Sequence, residues 1–501
     1  MNYSLDKEQL EIVNDDNKYL FVLAGAGSGK TLTILGKIKY LIEEKNIPKE
    51  EIVCITFTNM AVESLKNKIK KEINDDIECY TFHKLAMKIL TDTNYNYTIT
   101  NEELLTMVVE NFFNIEIFKS TYLLKVVLKY FNGVFFHKPV ENYNRLLKNK
   151  QKEINILKKE LITFIHLFKA GNYKIEDYQD FFKIIKNYLL PMTYLKEKYF
   201  LLLALNIYLL YEKEKEESSE LDFDDLLFIA KDRVKYYKKK ISYIIIDEYQ
   251  DTSYIRFLFI KELVDKMNCN LLVVGDDFQS IYRFSGCDIS LFYNFTDYYK
   301  DAIIHKINNT YRNSDELIKV ASRFILKNKC QLKKDLTSSK HIQYPLEVIY
   351  SKNIKITVLK VLDKVKSGSV FILGRNNNDI NLILSDLLVI NDDKIIYKKR
   401  EDLDIRYLTI HKSKGLEADS VIVINFFNST LGFPNQIKEE RIMRLVTKRK
   451  EEYPYSEERR LFYVAITRTK NRCYLIAPDS NYSIFIKELE KEKNYIKFMR
   501  R

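Results

Sequence analysis

The segment VLAGAGSGKT at residues 22–31 restricts the possible folds of this chain more than any other segment. It follows the apolar run YLFVLA and precedes a stretch with helical periodicity, so we expect a strand, a glycine-rich loop and a helix in that order. Glycines at positions 25, 27 and 29 allow backbone N–H groups to surround phosphate groups, and the helix N-terminus adds partial positive charge. The segment therefore predicts a Walker A loop within a parallel α/β layer.

Residue types in the loop indicate their roles. Lys30 is expected to reach the β- and γ-phosphates, and the Thr31 hydroxyl is expected to ligate Mg²⁺. The strict motif begins with glycine, whereas Ala24 occupies that position here. We expect the nucleotide to contact the whole loop, which consists of Ala24, Gly25, Ala26, Gly27, Ser28, Gly29, Lys30 and Thr31.

A second apolar run, IIID at 244–247, ends in the adjacent carboxylates of Asp247 and Glu248. A P-loop site needs acidic groups opposite its loop, so Asp247 is expected to hold Mg²⁺ and Glu248 to orient and deprotonate the attacking water. The predicted reaction is NTP hydrolysis by phosphoryl transfer. Arg312 and Arg468, far away in sequence, would stabilise transition-state charge. The alternative for either arginine is a surface or helix-capping role.

The pattern of predicted secondary structure changes twice along the chain. Strand-like and helical stretches alternate at the start, a mostly helical stretch rich in Leu, Ile, Phe, Tyr and Lys follows, and strand-like runs return from residue 242. This pattern predicts an α/β protein with two α/β layers and a helical insertion in the first. The chain of 501 residues is long enough for about two to four domains.

Charge and cysteine usage limit the class of protein. The net charge of +12 favours a polyanionic partner such as nucleic acid, although lysine enrichment from an A/T-rich genome would give the same balance. Residues 118–170 carry 11 Lys/Arg against 3 Asp/Glu, which indicates either a solvated helical face or a DNA-backbone contact. Six scattered cysteines without a CxxC pair argue against zinc and disulfides. With no signal-peptide pattern and no apolar run of membrane-spanning length, we expect a cytoplasmic protein without membrane contact.

Ten segments resemble, in family order, the motifs of superfamily 1A DNA helicases of the UvrD/Rep type. They are LDKEQLEIV (5–13), AGAGSGKT (24–31), ITFTNMA (55–61), TFHKLA (81–86), LDFDDLL (221–227), IIIDEYQDT (244–252), VVGDDFQSIYRFSG (273–286), NNTYRNS (308–314), LTIHKSKGLEAD (408–419) and EERRLFYVAITRTK (457–470). Within the family the chain resembles the DNA helicase IV group, without that group's extra N-terminal region.

The resemblance implies an α/β fold with two RecA-like P-loop domains and a mostly helical insertion in the first. The expected divisions are 1–86 and 220–297 for the ATP-binding domain 1A, 87–219 for the insertion 1B, and 298–501 for domain 2A. Many relatives carry an extra helical domain, 2B, in the interval that here runs from Ser314 to Leu408. That interval is only about 94 residues long, so we expect domain 2B to be absent or vestigial.

The resemblance also assigns nucleotide contacts. Gln9 would read the adenine edge, Tyr311 would stack on the base, and Glu417 would contact the ribose. Three further side chains would act at the γ-phosphate, namely Gln279, Arg312 and Arg468. The implied cofactors are ATP and Mg²⁺.

On the nucleic-acid side, five residues would line the single-strand track, and His411 would couple that track to the nucleotide. The five are Phe57, Asn59, His83, Tyr282 and Phe284. Aromatic stacking without base readout suits a sequence-tolerant motor. With 66 Phe and Tyr in the chain, core packing is the alternative for each ring taken alone. Met60 stands where the family usually has a basic residue, and Phe278 where many relatives have an acid.

These observations predict an ATP-dependent DNA helicase or single-stranded DNA translocase, with 3′→5′ polarity implied by the resemblance alone. Its partners would be single-stranded DNA or tailed duplex DNA, and a nuclease or repair factor as a protein partner. The alternative is a motor or sensor subunit of a nuclease-coupled, phage-defence-like assembly, with little unwinding of its own. An RNA track stays open, and no nuclease motif accompanies the motor motifs.

Overall fold

The structure is a computed structural model, and it describes residues 5–131, 139–187, 190–391, 394–437, 440–447 and 453–500. Residues 132–138 of the predicted basic segment lie outside these ranges. The strands are β1 Tyr19–Ala24, β2 Ile52–Thr56, β3 Glu78–Thr81, β4 Thr98–Ile99, β5 Glu220–Leu221, β6 Tyr243–Ile246, β7 Asn270–Gly275, β8 Ile303–Ile307, β9 Leu346–Ser351, β10 Gly368–Gly374, β11 Leu388–Asn391, β12 Lys394–Tyr397, β13 Leu403–Thr409, β14 Ala418–Val423, β15 Thr469–Pro478 and β16 Ile496–Arg500.

The helices alternate with these strands in both α/β regions. They are α1 Lys7–Asn14, α2 Lys30–Glu43, α3 Asn59–Ile73, α4 Phe82–Asp92, α5 Leu104–Asn114, α6 Thr121–Tyr130, α7 Pro139–Asn149, α8 Gln151–Ala170, α9 Asp177–Lys186, α10 Pro191–Ser218, α11 Phe223–Arg233, α12 Tyr254–Met267, α13 Ser290–Tyr293, α14 Phe295–Tyr298, α15 Asp315–Ile325, α16 Ile354–Leu362, α17 Ser456–Ile466 and α18 Ile484–Leu489. No helix in the described ranges offers a stretch long and apolar enough for the core of a bilayer.

The first sheet has six parallel strands in the order β3-β2-β6-β7-β1-β8. Its strands are nearly continuous apolar runs because helices cover both faces, with α1, α2 and α3 on one side and α4, α11 and α12 on the other. The carboxyl ends of β1 and β6, where the Walker A loop and the acid pair begin, therefore lie at the same edge of the sheet.

The helical insertion has its own apolar core. Helices α5, α6, α8, α9 and α10 contribute buried side chains to it, as the sequence predicts for a mostly helical region. The two-residue strands β4 and β5 pair at its base, where the chain leaves and re-enters the first α/β region. The core also takes in three residues from the far end of the chain, Ile442, Met443 and Val446.

The second sheet has eight strands in the order β11-β12-β13-β10-β14-β15-β9-β16. Strands β13, β10, β14, β15, β9 and β16 run parallel, and β11 and β12 add an antiparallel edge. Helices α15, α17 and α18 cover one face and α16 the other. The described residues between 315 and 409 form strands and flanking helices of this layer, and no separate helical domain occurs among them.

One strand differs from the predicted division of the chain. Strand β8 pairs in parallel with β1, from Leu20 opposite Ile303 to Ala24 opposite Ile307. The first sheet therefore extends beyond residue 297, where the sequence analysis ended the first domain. The reason is that β8, three of whose five residues are exposed, completes the edge of the sheet beside the Walker A strand. The other domain limits stay predictions.

Candidate functional site

The loop after β1 has the geometry of a phosphate cradle. Gly27 and Gly29 have φ angles of 72° and 82°, in the left-handed region that favours glycine. A Cβ atom on Gly27 would lie 2.5 Å from Cβ of Arg312, so a larger residue has no room there. Gly29 caps the N-terminus of α2, which turns the first amides of the helix and the side chain of Lys30 toward the loop.

The acid pair lies opposite this loop. Nζ of Lys30 lies 2.7 Å from Oε1 of Glu248, so the two predicted catalytic groups already form an ion pair. Burial alone would lower the pKa of Lys30, but Glu248, Asp247 and Asp276 outweigh it and raise the pKa above its ordinary value. Burial and the neighbouring Glu248 raise the pKa of Asp247.

Backbone strain accompanies the acid pair. Glu248 has a φ angle of 54°, a left-handed conformation that costs a non-glycine residue about 1–3 kcal/mol and is concentrated at functional sites. Nε2 of Gln250 donates to Oε2 of Glu248 at 2.5 Å, and Oε1 of Gln250 accepts from the backbone N–H of Asp276 at 2.9 Å. The amide of Gln250 thus joins the ends of β6 and β7 and holds the Glu248 carboxylate in place.

A cleft of about 690 Å³ opens between the two sheets, and we call it the P-loop cleft. Eleven of the predicted nucleotide residues line it, namely Gly27, Ser28, Gly29, Lys30, Thr31, Glu248, Gln279, Tyr311, Arg312, Glu417 and Arg468. The predicted residues Gln9, Ala24, Gly25, Ala26 and Asp247 lie outside its lining. The sequence analysis missed four lysines that do line it, namely Lys68, Lys71, Lys340 and Lys470. No local pattern distinguishes them in a chain with 81 Lys and Arg.

The two predicted arginines line this cleft from different segments: Arg312 lies between β8 and α15, and Arg468 lies between α17 and β15. Nη2 of Arg468 donates to Oε1 of Gln279 at 2.8 Å, and Nε of Arg312 donates to Oε2 of Glu417 at 2.8 Å. Burial and the nearby Arg312 lower the pKa of Arg468 to about 9, and in the described part of the chain no carboxylate pairs with it. A buried guanidinium without a carboxylate partner is costly unless an anion binds there.

The two residues predicted to contact the adenine base, Gln9 and Tyr311, lie beside the Walker A loop. Nε2 of Gln9 donates to the backbone carbonyl of Ser28 at 3.2 Å, and its Oε1 accepts from the backbone N–H of Asp6. The amide of Gln9 is therefore already engaged by the protein. Tyr311 donates from its hydroxyl to Asp6 at 2.5 Å and keeps 57% of its surface exposed, so one ring face is open for stacking.

The residues of the cleft fit a magnesium nucleoside triphosphate. Seven cations against three carboxylates line it, and its volume is within the range of about 300–1,000 Å³ that is usual for ligand sites. The Ser28 hydroxyl is buried without a hydrogen-bond partner in the described structure. The Thr31 hydroxyl and the Asp247 carboxylate offer the hard oxygen ligands that Mg²⁺ prefers.

Four of the predicted DNA-binding side chains form a continuous row, which we call the aromatic row: Phe57, Tyr282, Phe284 and His411. The ring centroids are 5.4 Å apart for Phe57 and Tyr282, 6.0 Å for Tyr282 and Phe284, and 5.6 Å for Phe284 and His411. Phe57, Tyr282 and Phe284 follow strands of the first sheet, which also carries the Walker A loop, and His411 follows β13 of the second sheet. Phe284 is the exposed ring of the row, and Phe57, Tyr282 and His411 are partly buried.

The other two predicted DNA contacts lie outside the aromatic row. His83 packs edge-on against Phe223, with centroids 5.1 Å apart, and burial lowers its pKa to about 3. Asn59 is exposed in the first turn of α3. Arg256, which the sequence analysis did not single out, lies 4.8 Å over the ring of Phe57.

A lysine from the second sheet connects the aromatic row with the P-loop cleft. Nζ of Lys414 donates to the backbone carbonyl of Gln279 at 2.7 Å and forms an ion pair with Asp251. The same ammonium lies 4.9 Å over the ring of Tyr282. Asp251, the last acid of IIIDEYQDTS, thus serves an interface between the two sheets, which the sequence analysis did not assign to it.

Two domain families match the chain. The UvrD/REP helicase N-terminal domain matches residues 5–300, and the UvrD-like helicase C-terminal domain matches residues 388–480. The first match contains the Walker A loop, the acid pair and the helical insertion. The second contains the strands β11 to β15 and the arginine at 468.

Individual relatives are similar over most of the chain. The probable DNA helicase II homolog of Mycoplasma capricolum is 29% identical over 74% of this chain and 49% of its own length. The ATP-dependent DNA helicase PcrA of Bacillus subtilis is 26% identical over 77% of this chain and 49% of its own length. DNA helicase IV of Escherichia coli is 27% identical over 97% of this chain and 70% of its own length.

The chain spans about half the length of the first two of these relatives. The N-terminal domain family alone matches more than half of the chain, and its match covers the acid pair and the loop with their described geometry. The two parallel sheets on either side of the P-loop cleft are consistent with the two RecA-like domains of such helicases. This chain belongs to the UvrD/Rep helicase family.

Proposed function

We propose that the protein is an ATP-dependent DNA helicase that moves along single-stranded DNA, with 3′→5′ polarity. The observation that carries the proposal is the contact of Lys414 with Asp251, Gln279 and Tyr282, because it joins the cleft that suits a triphosphate to the row that suits stacked bases. Closure of the cleft around ATP would displace the aromatic row with it. The names of the DNA helicase relatives support DNA as the track.

In this proposal, Lys30 and the loop amides hold the β- and γ-phosphates of the substrate ATP, and Glu248 takes a proton from the attacking water. Lys30 and Lys414 keep the pKa of Glu248 below its ordinary value despite burial, so its carboxylate is ionised and able to accept a proton. Gln279, Arg312 and Arg468 approach the γ-phosphate, and Gln9, Tyr311 and Glu417 hold the nucleoside. Thr31 and Asp247 would hold Mg²⁺, which neutralises phosphate charge when bound.

The first experiment is ATP hydrolysis with and without single-stranded DNA, for the wild type and for Lys30→Ala. We expect strong stimulation by DNA in the wild type and loss of hydrolysis in the variant. A rate of ATP hydrolysis that single-stranded DNA does not change would contradict the proposal. Strand displacement on duplexes with either a 3′ or a 5′ tail then tests the polarity, and the proposal requires the 3′-tailed duplex to be unwound.

A second function is favoured by one observation. The described residues between 315 and 409 include no additional helical domain, and such a domain would be expected in a helicase that unwinds alone. A motor subunit whose partner, such as a nuclease or repair factor, completes the unwinding machine would show DNA-stimulated hydrolysis but no strand displacement by the purified chain. That pair of results would select this second function.

A further inference from the structure

The two arginines of the P-loop cleft are neighbours in space although they are far apart in sequence. Arg312 and Arg468 line the same cleft, and the repulsion between their guanidinium groups adds to burial in lowering the pKa of Arg468. Like charges that are free to move separate from each other. The closeness of the two arginines therefore depends on contacts between the segments that carry them.

Asn313, the residue after Arg312, contacts the segment that carries Arg468. Its side chain is 0% exposed, and its Nδ2 donates to the backbone carbonyl of Thr467 at 3.3 Å and to that of Thr469 at 2.7 Å. These carbonyls belong to the residues on either side of Arg468. One buried amide group thus connects the backbone next to the first arginine with the backbone on both sides of the second.

The segment that carries Arg312 is also fixed to the Walker A loop. The Thr310 hydroxyl donates to the backbone carbonyl of Ala26 at 2.7 Å, and the backbone N–H of Tyr311 donates to another carbonyl of the loop at 2.9 Å. The segment therefore contacts the phosphate loop on one side and, through Asn313, the second arginine segment on the other. The loop and both arginines form one connected unit.

A second contact between the two segments is more exposed. Glu417 accepts from Nε of Arg312 at 2.8 Å and pairs with Lys470 at 3.1 Å, and its side chain is 42% exposed. An ion pair with this exposure contributes little to the position of either partner. Glu417 is also the predicted ribose contact, so nucleotide binding would change its partners. The buried amide of Asn313 is the contact that stays the same in both states.

We propose that Asn313 is a positioning residue that keeps Arg312 and Arg468 at a fixed separation, so that both guanidinium groups reach the γ-phosphate together. This inference rests on the proposed function, since it takes ATP hydrolysis as the reaction and the two arginines as γ-phosphate contacts. Arginines in this role stabilise charge in the transition state, so their misplacement lowers kcat more than it weakens nucleotide binding.

The first test compares ATP hydrolysis and ADP affinity in Asn313→Ala and Asn313→Leu. Neither new side chain donates a hydrogen bond, and Leu has a branched shape similar to that of Asn, so it leaves no cavity. Because a misplacement of about 1 Å can cost about 100-fold in rate, we expect kcat to fall by about 10- to 100-fold in both variants. KM for ATP and the dissociation constant for ADP should stay within about three-fold of the wild type.

The matched control is Asn328→Leu. Asn328 is 2% exposed, and its Oδ1 accepts from the backbone N–H of Cys330 in its own turn. Its replacement removes a buried asparagine that contacts neither arginine segment through its hydrogen bond. We expect kcat of this variant to stay within about two-fold of the wild type.

A double-mutant cycle distinguishes a positioning role from a general structural one. Arg468→Ala removes one of the two groups that Asn313 would hold, so the separation of the arginines no longer matters in that background. Asn313→Ala should then lower the remaining kcat by less than about three-fold. Losses that multiply, with the full effect of Asn313→Ala retained in the Arg468→Ala background, would overturn the inference.

The other outcomes separate this inference from the proposed function. A wild-type kcat in both Asn313 variants would overturn the inference and leave the function intact. A fall in kcat with an equal rise in KM and in the ADP dissociation constant would also overturn it, because Asn313 would then shape the whole nucleotide site. Loss of cooperative thermal unfolding in both variants would assign the residue to the stability of the fold and overturn it as well. Absence of ATP hydrolysis by the wild type would overturn both proposals.

Discussion

Single buried charges hold the site together, and Lys334 is the clearest example. Its side chain is 1% exposed, forms ion pairs with Asp276 and Asp277, and lies 3.9 Å over the ring of Phe278. Burial lowers its pKa, but the two carboxylates outweigh burial and raise the pKa above its ordinary value. Asp276 in turn accepts from Gln279 at 2.6 Å. Lys334 thus neutralises the acids that position a predicted γ-phosphate contact.

Replacement of Lys334 by Met should lower the free energy of unfolding by about 3–5 kcal/mol, because two buried carboxylates would lose their cation. Urea-induced unfolding followed by circular dichroism measures the change. The matched control is Lys333→Met, since Lys333 is 79% exposed and its ion pair with Asp335 is a surface contact. The control should change stability by less than about 0.5 kcal/mol, and an equal loss in both variants would contradict the role of Lys334.

The histidine of the aromatic row should not titrate near neutral pH. Burial, and then Arg375 and Lys414, lower the pKa of His411 to about 4, so its imidazole stays neutral until the pH falls well below the ordinary value. Affinity for oligo-dT at constant salt should therefore change less than about two-fold between about pH 7.5 and about pH 6. Tightening of about ten-fold that disappears in His411→Phe would show instead that His411 gains a proton.

At the scale of elements, both functional surfaces are built from the carboxyl ends of parallel strands. Phe57 follows β2, Tyr282 and Phe284 follow β7, and His411 follows β13. The Walker A loop and the acid pair follow β1 and β6 in the first sheet, which also contains β2 and β7, whereas β13 belongs to the second sheet. Parallel strands bring such loops together even when they are far apart in sequence. The aromatic row and the P-loop cleft are therefore neighbours as a direct consequence of the sheet topology.

Removal of one exposed ring should weaken DNA binding without loss of fold. Phe284 is 59% exposed, so Phe284→Ala should cost about 1–3 kcal/mol of binding free energy for single-stranded DNA. Phe284→Trp should retain the affinity, because it keeps a stacking surface. The control is Tyr122→Ala, which removes a ring that is 56% exposed in α6. Fluorescence anisotropy with oligo-dT measures the affinity of all three variants. Equal losses of affinity in Phe284→Ala and Tyr122→Ala would be evidence against DNA binding by the aromatic row.

At the scale of the whole molecule, a few polar contacts join the two sheets across the P-loop cleft. Lys414 pairs with Asp251, and Arg460 donates to the backbone carbonyl of Ser280 at 2.5 Å. The packing of Ile442, Met443 and Val446 in the core of the helical insertion is a further connection. Movement of one sheet relative to the other must therefore rearrange both the cleft and the aromatic row.

Loss of the Lys414 contact should uncouple ATP from DNA. A nonhydrolysable ATP analogue should change the DNA affinity of the wild type by a factor of about 5–150, the usual range of coupling free energies. In Lys414→Met that factor should approach one, because the ion pair with Asp251 and the contact with Tyr282 are gone. The control is Lys412→Met, an exposed neighbour. A variant with unchanged coupling would show that another contact transmits the effect.

The sequence alone determined the parts of this protein that depend on local chemistry. The strand, glycine loop and helix around Lys30 are encoded within ten residues, since glycine adopts the left-handed backbone at the lowest cost and the predicted phosphate contact is the lysine that begins the helix. The acids at 247 and 248 were predictable because they directly follow an apolar run in the sequence. The α/β class and the helical insertion followed from periodicity, which also acts over short distances.

Only the tertiary structure decided which charges meet. The pairing of Arg312 with Glu417 and the burial of Lys334 between two acids join residues more than fifty positions apart. Local pattern carries no signal for such contacts in a chain where lysine is abundant, so Lys334 was not recognised and the pairing of β8 with β1 was not predicted. The burial of Met443 in the core of the helical insertion is likewise a contact between segments that are distant in sequence. These contacts form because folding brings distant segments together, and a charge that becomes buried in this way is costly unless an opposite charge lies beside it.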